Sequence, residues 1–369
     1  MGQRGGESTV LSFLAFIFAL GLLIIVHEFG HFFVAKRYGV KVERFSIGFG
    51  PKIFGVKKGD TEYTVSLIPL GGYVKMAGET CEDDIKGEKW EYLSQAPGRR
   101  FNILFAGPLL NYILAFLIFS LIFMIGSPAL STKVGELLDG YPAKDSGIKV
   151  GDRIVAVDGK SVVYWEDLTN EIHKKFNKKI TFTIKKDDRE FQATIETKTK
   201  EVENIFGQKM QIALIGIAPS DELLTMKFNP IKSFYVGGKK LIGLTGLTYK
   251  ALWMMITGGL SPKELTGPIG IYVITGKAAQ LGFIYFINII AVISFNLALF
   301  NLLPLPILDG GHIFFLGLEK LRGRPLSKRK QELITQIGLT FIIFIAIAVS
   351  YNDIMKFGVF EKLKGLFKR

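Results

Sequence analysis

Cysteine occurs once in this chain, as Cys81, and histidine only as His27, His31, His173 and His312. A single cysteine excludes an internal disulfide and a thiolate zinc site, so any metal chemistry must rest on imidazoles and carboxylates. Charge is locally missing as well. Val10 to Val26 is 17 residues long without an ionisable side chain, about the length one helix needs to cross a bilayer core. Internal repeats and low-complexity tracts are absent, which excludes solenoids and disordered arrays.

Four apolar runs are present, at 10–26, 103–125, 283–303 and 337–349, with a hydrophilic block between the second and third. A soluble core could hardly bury four such runs, so the pattern reads as a polytopic membrane protein with an inserted soluble domain. The first run is read as a retained anchor rather than a signal peptide. No small-x-small site follows it, and cleavage there would detach the motif that ends it. The net charge of +13 does not indicate nucleic acid: residues 127–220 hold 15 Lys/Arg against 14 Asp/Glu. The excess flanks the apolar runs, as at Lys320, Arg322, Arg324, Lys328, Arg329 and Lys330, and such clusters hold loops on the cytoplasmic side.

The first helix is expected over about 9–38, its end marked cytoplasmic by Lys36, Arg37, Lys41 and Arg44. Residues 45–76 change period. Tyr63, Val65 and Leu67 alternate with polar residues among several glycines, the pattern of a small hairpin sheet. Residues 79–100 read as a loop with a short helix, followed by a second membrane helix to about Ile125. The block at 127–220 shows strands at 151–157, 180–184 and 191–195, an Asp158-Gly159 turn and helical spacing from Trp165 to Phe176, giving a compact α/β module. Ile231 to Ile256 reads as an amphipathic interfacial helix. A third membrane helix at 283–303 breaks at Pro304 and Pro306, a fourth follows at 333–352, and a basic amphipathic tail runs from Phe357 to Arg369. The domains expected are 1–126, 127–220, 221–282, 283–356 and 357–369.

The chemistry sits at the end of the first run. His27, Glu28 and His31 form HEFGH; imidazoles at i and i+4 share one helix face and can hold zinc, with a carboxylate beside them as general base. Ionisable groups at membrane depth rarely lack a function. A catalytic zinc needs a third protein ligand. His173 lies among lysines in the soluble block and reads as a surface residue. The segment Asn301 to His312 breaks a membrane helix at two prolines and carries Asp309 and His312. From the residues alone, either of these completes the set.

HEFGH in the first membrane helix, Gly107-Pro108-x-x-Asn111 opening the second and Asn301 with Leu308-Asp309-Gly310 after the third resemble the site-2 proteases, the M50-type zinc intramembrane metalloproteases. The likeness is strongest to the bacterial regulator-of-sigma-E type and covers the whole chain in order. It implies that His27, His31 and Asp309 bind Zn2+, that Glu28 activates the water, and that Asn301 helps bind substrate or stabilise the oxyanion. His312 matches a family position but is not a ligand there. The implied fold is about four transmembrane helices, a membrane-reentrant β-sheet at 45–76 and one PDZ domain at 127–220. Gly135-Glu136 and Ala143 to Ile154 carry the PDZ likeness, although a Gly-Leu-Gly-Phe carboxylate loop is absent.

The implied function is zinc-dependent cleavage inside the transmembrane segments of single-span proteins, anti-sigma factors and remnant signal peptides among them. Another protease trims these substrates first, and the PDZ domain excludes untrimmed ones. The implied setting is the bilayer of a bacterial inner membrane, with the PDZ domain and both termini periplasmic and no nucleic-acid partner. An edge of the sheet at Tyr63, Val65 and Leu67 is expected to capture substrate as an added strand. The rival reading is a non-proteolytic, PDZ-bearing membrane scaffold with a structural metal site. Such a site has no need of Glu28.

Overall fold

The computed structural model describes residues 3–79, 85–187, 189–204, 207–324 and 327–358; Cys81 and all but the first two residues of the basic tail lie outside them. Two compact units emerge, one comprising Met1–Ile122, Phe234–Leu252 and Ser261–Arg369, the other Phe123–Ser233 and Trp253–Leu260.

Helix α1 spans Gln3–Arg37 and closes with Lys36 and Arg37 in its last turn, where cations favour the helix dipole. Gly39, at φ +75°, ends it. Two long strands follow, β1 (Val42–Lys58) and β2 (Thr61–Met76). They form more than a hairpin, because each doubles back. Phe45 pairs with both Val74 and Tyr63, and Ile47 with both Gly72 and Val65. Val56 and Phe54 pair with Tyr63 and Val65 in turn. The segments therefore lie in the order 52–58, 61–68, 42–49, 72–76, with 44–47 and 62–65 rising together as a parallel pair does. This corrects the expected free edge. Tyr63 and Val65 are flanked on both sides because the bend after Gly48 folds β1 across them, and Leu67 lies on the same inner segment. Phe49, Ile53, Phe54, Val56, Leu67 and Ile68 leave an exposed apolar tip.

Residues 85–96 form turns rather than a short helix, and helix α2 spans Pro97–Ile125. In the second unit the strands are β3 (Ser127–Leu130), β4 (Val134–Leu137), β5 (Arg153–Val157) and β6 (Lys160–Ser161). Helix α3 (Trp165–Ile172) precedes β7 (Lys179–Lys186), β8 (Arg189–Glu196), β9 (Lys198–Glu203), β10 (Lys209–Leu214), β11 (Ile217–Pro219) and β12 (Leu223–Met226). A four-stranded sheet runs β6-β5-β7-β8, and two-stranded pairs join β4 with β11, β9 with β10 and β3 with β12. Ile180, Phe182 and Ile184 alternate into the core with Ile154, Val157 and Leu168. Each such burial contributes about 1.5–3 kcal/mol. Asp158 (φ +47°) and Gly159 (φ +79°) make the two-residue turn between β5 and β6. The unit extends past residue 220, since β12 returns to pair with β3.

Helix α4 (Pro230–Ile256) packs along α2. Gly237 lies against Ser120, Lys240 over the Phe119 ring and Thr245 Oγ1 at 3.0 Å from Tyr112 Oη, so over this stretch α4 runs antiparallel to α2. Helices α5 (Pro268–Leu281), α6 (Phe283–Asn301), α7 (Asp309–Arg322) and α8 (Lys328–Lys356) complete the chain. Asp353 on α8, fully buried, accepts the Gly270 N–H at the start of α5 at 2.8 Å. Among the described residues four helices are long and apolar enough to cross a membrane: Thr9–Arg37, Pro97–Ile125, Phe283–Asn301 and Arg329–Lys356.

Candidate metal centre

HEFGH lies two turns before the end of α1, so His27 and His31 share the helix face toward α2. Close approach of α2 requires two missing side chains. A Cβ on Gly30 would meet the Ala106 carbonyl oxygen at 2.4 Å, and one on Gly107 would meet His31 Nε2 at 2.3 Å. Both imidazoles are buried. His31 donates from Nδ1 to the Ile103 carbonyl at 2.8 Å, which leaves the Nε2 lone pair facing His27 Nε2, 3.2 Å away.

The third donor comes from the far end of the chain. Helix α6 ends at Asn301, and the turn through Pro304 and Pro306 delivers Asp309 as the first residue of α7. That turn folds tightly under α7: a Cβ on Gly310 would lie 2.4 Å from the Leu302 and Leu303 carbonyl oxygens, and one on Gly311 would lie 2.1 Å from that of Leu305. An ion pair between Arg100 and Glu319 at 2.5 Å fastens α7 to the start of α2. Asp309 Oδ2 then stands 3.1 Å from His27 Nε2, and Oδ1 3.5 Å from His31 Nε2.

These spacings fit a zinc ion. Tetrahedral zinc with bonds of about 2.0–2.1 Å holds its ligand atoms roughly 3.3–3.4 Å apart; the two Nε2 atoms are 3.2 Å apart here, and the two oxygens of the Asp309 carboxylate lie 3.1 Å from His27 and 3.5 Å from His31. Two imidazole lone pairs and a carboxylate converging in a buried place also form a donor set that calls for a cation. Among the described residues this is the one cluster of three such groups. His312, the alternative that the residues alone left open, is outside it; its ring packs edge-on against Phe315. His173 lies in the other unit at the end of α3, where partial burial holds its pKa below the usual histidine value.

A cavity of about 400 Å³ opens on the three donors, lined also by Glu28, Gly71, Gly72, Val74 and Asn301. The Glu28 carboxylate accepts the Val74 N–H, which ties it to the outer strand segment 72–76. The opposite side of that segment pairs with β1, and no further strand covers it among the described residues. Tyr63, Val65 and Leu67, the edge expected from the alternation, do not line the cavity. Gly71-Gly72 was the available signal, since paired glycines within a strand mark a close approach of backbone to something else. In the second unit a cavity of about 250 Å³ lies between α3 and the segment Leu214–Pro219, lined by Leu168, Ile172 and His173.

The family model for peptidase family M50 matches residues 15–345. A protein of Clostridium acetobutylicum named as a zinc metalloprotease is 35% identical over 339 residues, 92% of this chain and 96% of that one. The zinc metalloprotease RasP of Geobacillus kaustophilus is 30% identical over 429 residues, 95% of this chain and 99% of its own. Among solved structures, the PDZ domain of an SdrC-like protein from Listeria monocytogenes matches 25% of this chain and 87% of its own, at 24% identity and a TM-score of 0.19. Four helices long and apolar enough to cross a membrane, with similarity along the whole length to bacterial zinc metalloproteases, make this a multi-pass bacterial membrane protein: the chain belongs to peptidase family M50, as a zinc-dependent intramembrane protease of the site-2 type.

Proposed function

We propose that His27, His31 and Asp309 hold the zinc, that Glu28 is the general base, and that the substrates are transmembrane segments of single-span proteins. One observation carries this reading: three convergent donors and a glutamate share one cavity, and two of the donors and the glutamate follow 17 uncharged residues on α1. Bound zinc supplies a Lewis acid that polarises a peptide carbonyl and acidifies a water molecule. Glu28 takes the proton from that water and later delivers it to the leaving amide nitrogen. Asn301, at the end of α6 and on the cavity wall, donates its side-chain N–H to the developing oxyanion.

A transmembrane helix hides its backbone, so it must unwind before cleavage. The outer side of Gly72–Val74 offers strand pairing in exchange for helical hydrogen bonds. The missing side chain of Gly72 lets this segment lie close to Glu28, since a Cβ there would meet Glu28 Cγ at 3.4 Å. The exposed apolar tip around Phe49, Ile53 and Phe54 dips into the bilayer, making the sheet membrane-reentrant. The α/β unit acts as a PDZ gate on the periplasmic side of the inner membrane, admitting substrates already trimmed by another protease.

The test is reconstitution of the purified chain with zinc and a model single-span substrate, with product masses locating the cut. Cleavage inside the apolar span, abolished by a zinc chelator, is expected. A cut confined to the extramembrane part would overturn the intramembrane reading.

A further inference from the structure

Helix α2 meets the two histidines in register. Ile103, Gly107 and Asn111 are spaced four apart on one face of α2, opposite His31 and His27, four apart on α1. The Ile103 carbonyl accepts from His31 Nδ1 at 2.8 Å. Gly107 leaves room between the rings. Asn111 faces the other nitrogen of His27, with Nδ2 at 3.4 Å from Nδ1.

The tautomer of His27 decides which atom of the Asn111 amide can face it. His27 turns Nε2 toward His31 and Asp309, so in the metal-binding tautomer Nδ1 carries the proton. An amide NH2 facing an N–H sets donor against donor. Asn111 is fully buried, and its Oδ1 has no hydrogen-bond partner. Rotating the amide by half a turn, which leaves its shape unchanged, brings the carbonyl oxygen to His27 Nδ1–H and gives the orphaned acceptor a donor. The backbone beneath it is fixed, since the Asn111 carbonyl accepts the Ser294 hydroxyl of α6 at 2.7 Å.

We infer that the Asn111 side-chain carbonyl accepts the His27 Nδ1 proton and so holds the tautomer and ring orientation that present Nε2 to zinc. Asn111 is a positioning residue: it acts on the metal through His27, as the Ile103 carbonyl acts through His31. The inference rests on the zinc reading of His27, and the test separates the two.

Zinc affinity is measured by chelator competition on the full-length chain in detergent for the parent, Asn111→Asp, Asn111→Leu and His27→Ala, with melting of the zinc-free forms recorded alongside. Asn111→Leu, matched in size but without an acceptor, should lower zinc affinity about 10- to 100-fold. A carboxylate can only accept, so Asn111→Asp should hold zinc at least as tightly as the parent. Loss of zinc in Asn111→Asp, at an unchanged zinc-free melting temperature, would overturn the inference, as would parental affinity in Asn111→Leu. Should Asn111→Leu fail to fold, Asn111→Asp alone decides. Unchanged zinc binding in His27→Ala would instead defeat the underlying zinc assignment.

Discussion

Gly107→Ala is the sharpest perturbation this geometry offers. The added methyl would stand 2.3 Å from His31 Nε2 and 2.6 Å from its Cε1, whereas non-bonded contacts settle at about 3.5 Å or more. Either the ring or α2 must move by about 1 Å. The ring is held by the Ile103 carbonyl, and metal sites keep their distances within about 0.2 Å, so the shift spoils the site. Overpacking strain of about 1–3 kcal/mol converts to roughly a 5- to 150-fold loss of zinc affinity. Helix propensity acts in the opposite sense, since alanine is about 1 kcal/mol better than glycine inside a helix. Zinc binding and zinc-free stability should therefore part company. Chelator competition and thermal melting measure the two. Gly21→Ala on α1, where nothing lies within 4 Å of the added carbon, is the matched control and should leave zinc unchanged. Equal zinc affinity in the two variants would refute the close-approach account.

Three further outcomes are expected. Val74→Pro removes the N–H that Glu28 accepts and blocks pairing along the edge next to the cavity, so cleavage should fall at least tenfold with zinc content unchanged. Lys57→Pro, on the opposite outer segment, should have little effect; cleavage assays with zinc analysis distinguish the two. Replacing 131–222 by a short glycine linker joins Leu130 and Leu223, which are paired neighbours; the gate reading expects cleavage of untrimmed substrates, and plain loss of activity would contradict it. Asp158 is held below the usual aspartate range by Lys175 and the Thr181 N–H. Its stabilising effect is therefore present above that range and lost as pH falls through the lowered value. Asp158→Asn should speed amide exchange in β7 at pH 7, and the difference from the parent should shrink under strongly acidic conditions.

Much of this was legible in the residues. The four apolar runs emerged as helices because uncharged length is a local property. HEFGH carries its own geometry, since i and i+4 share a face whatever surrounds the helix. The choice between Asp309 and His312 was not legible bottom-up, because it depends on how the turn at 302–308 folds under Gly310 and Gly311. Resemblance favoured Asp309, and the structure brings Asp309 to the histidines. The sheet was misread for a related reason. Alternation marked 62–67 as strand but could not reveal that β1 doubles back to cover both its sides. Pairing of that kind is set by contacts between distant residues. The amphipathic pattern of α4 is visible in its own residues, while the partners it packs on, Phe119, Ala291 and Phe295, belong to other helices.

Glu28 separates a protease from a mere zinc site. The deciding measurement is zinc content together with cleavage of a model single-span substrate by the parent and by Glu28→Gln. Glutamine keeps the shape and the ability to accept the Val74 N–H but cannot take a proton. Full zinc occupancy is predicted for both, with cleavage by Glu28→Gln reduced at least 100-fold, in the range general-base catalysis contributes. Equal cleavage by the two proteins would contradict the account at its centre.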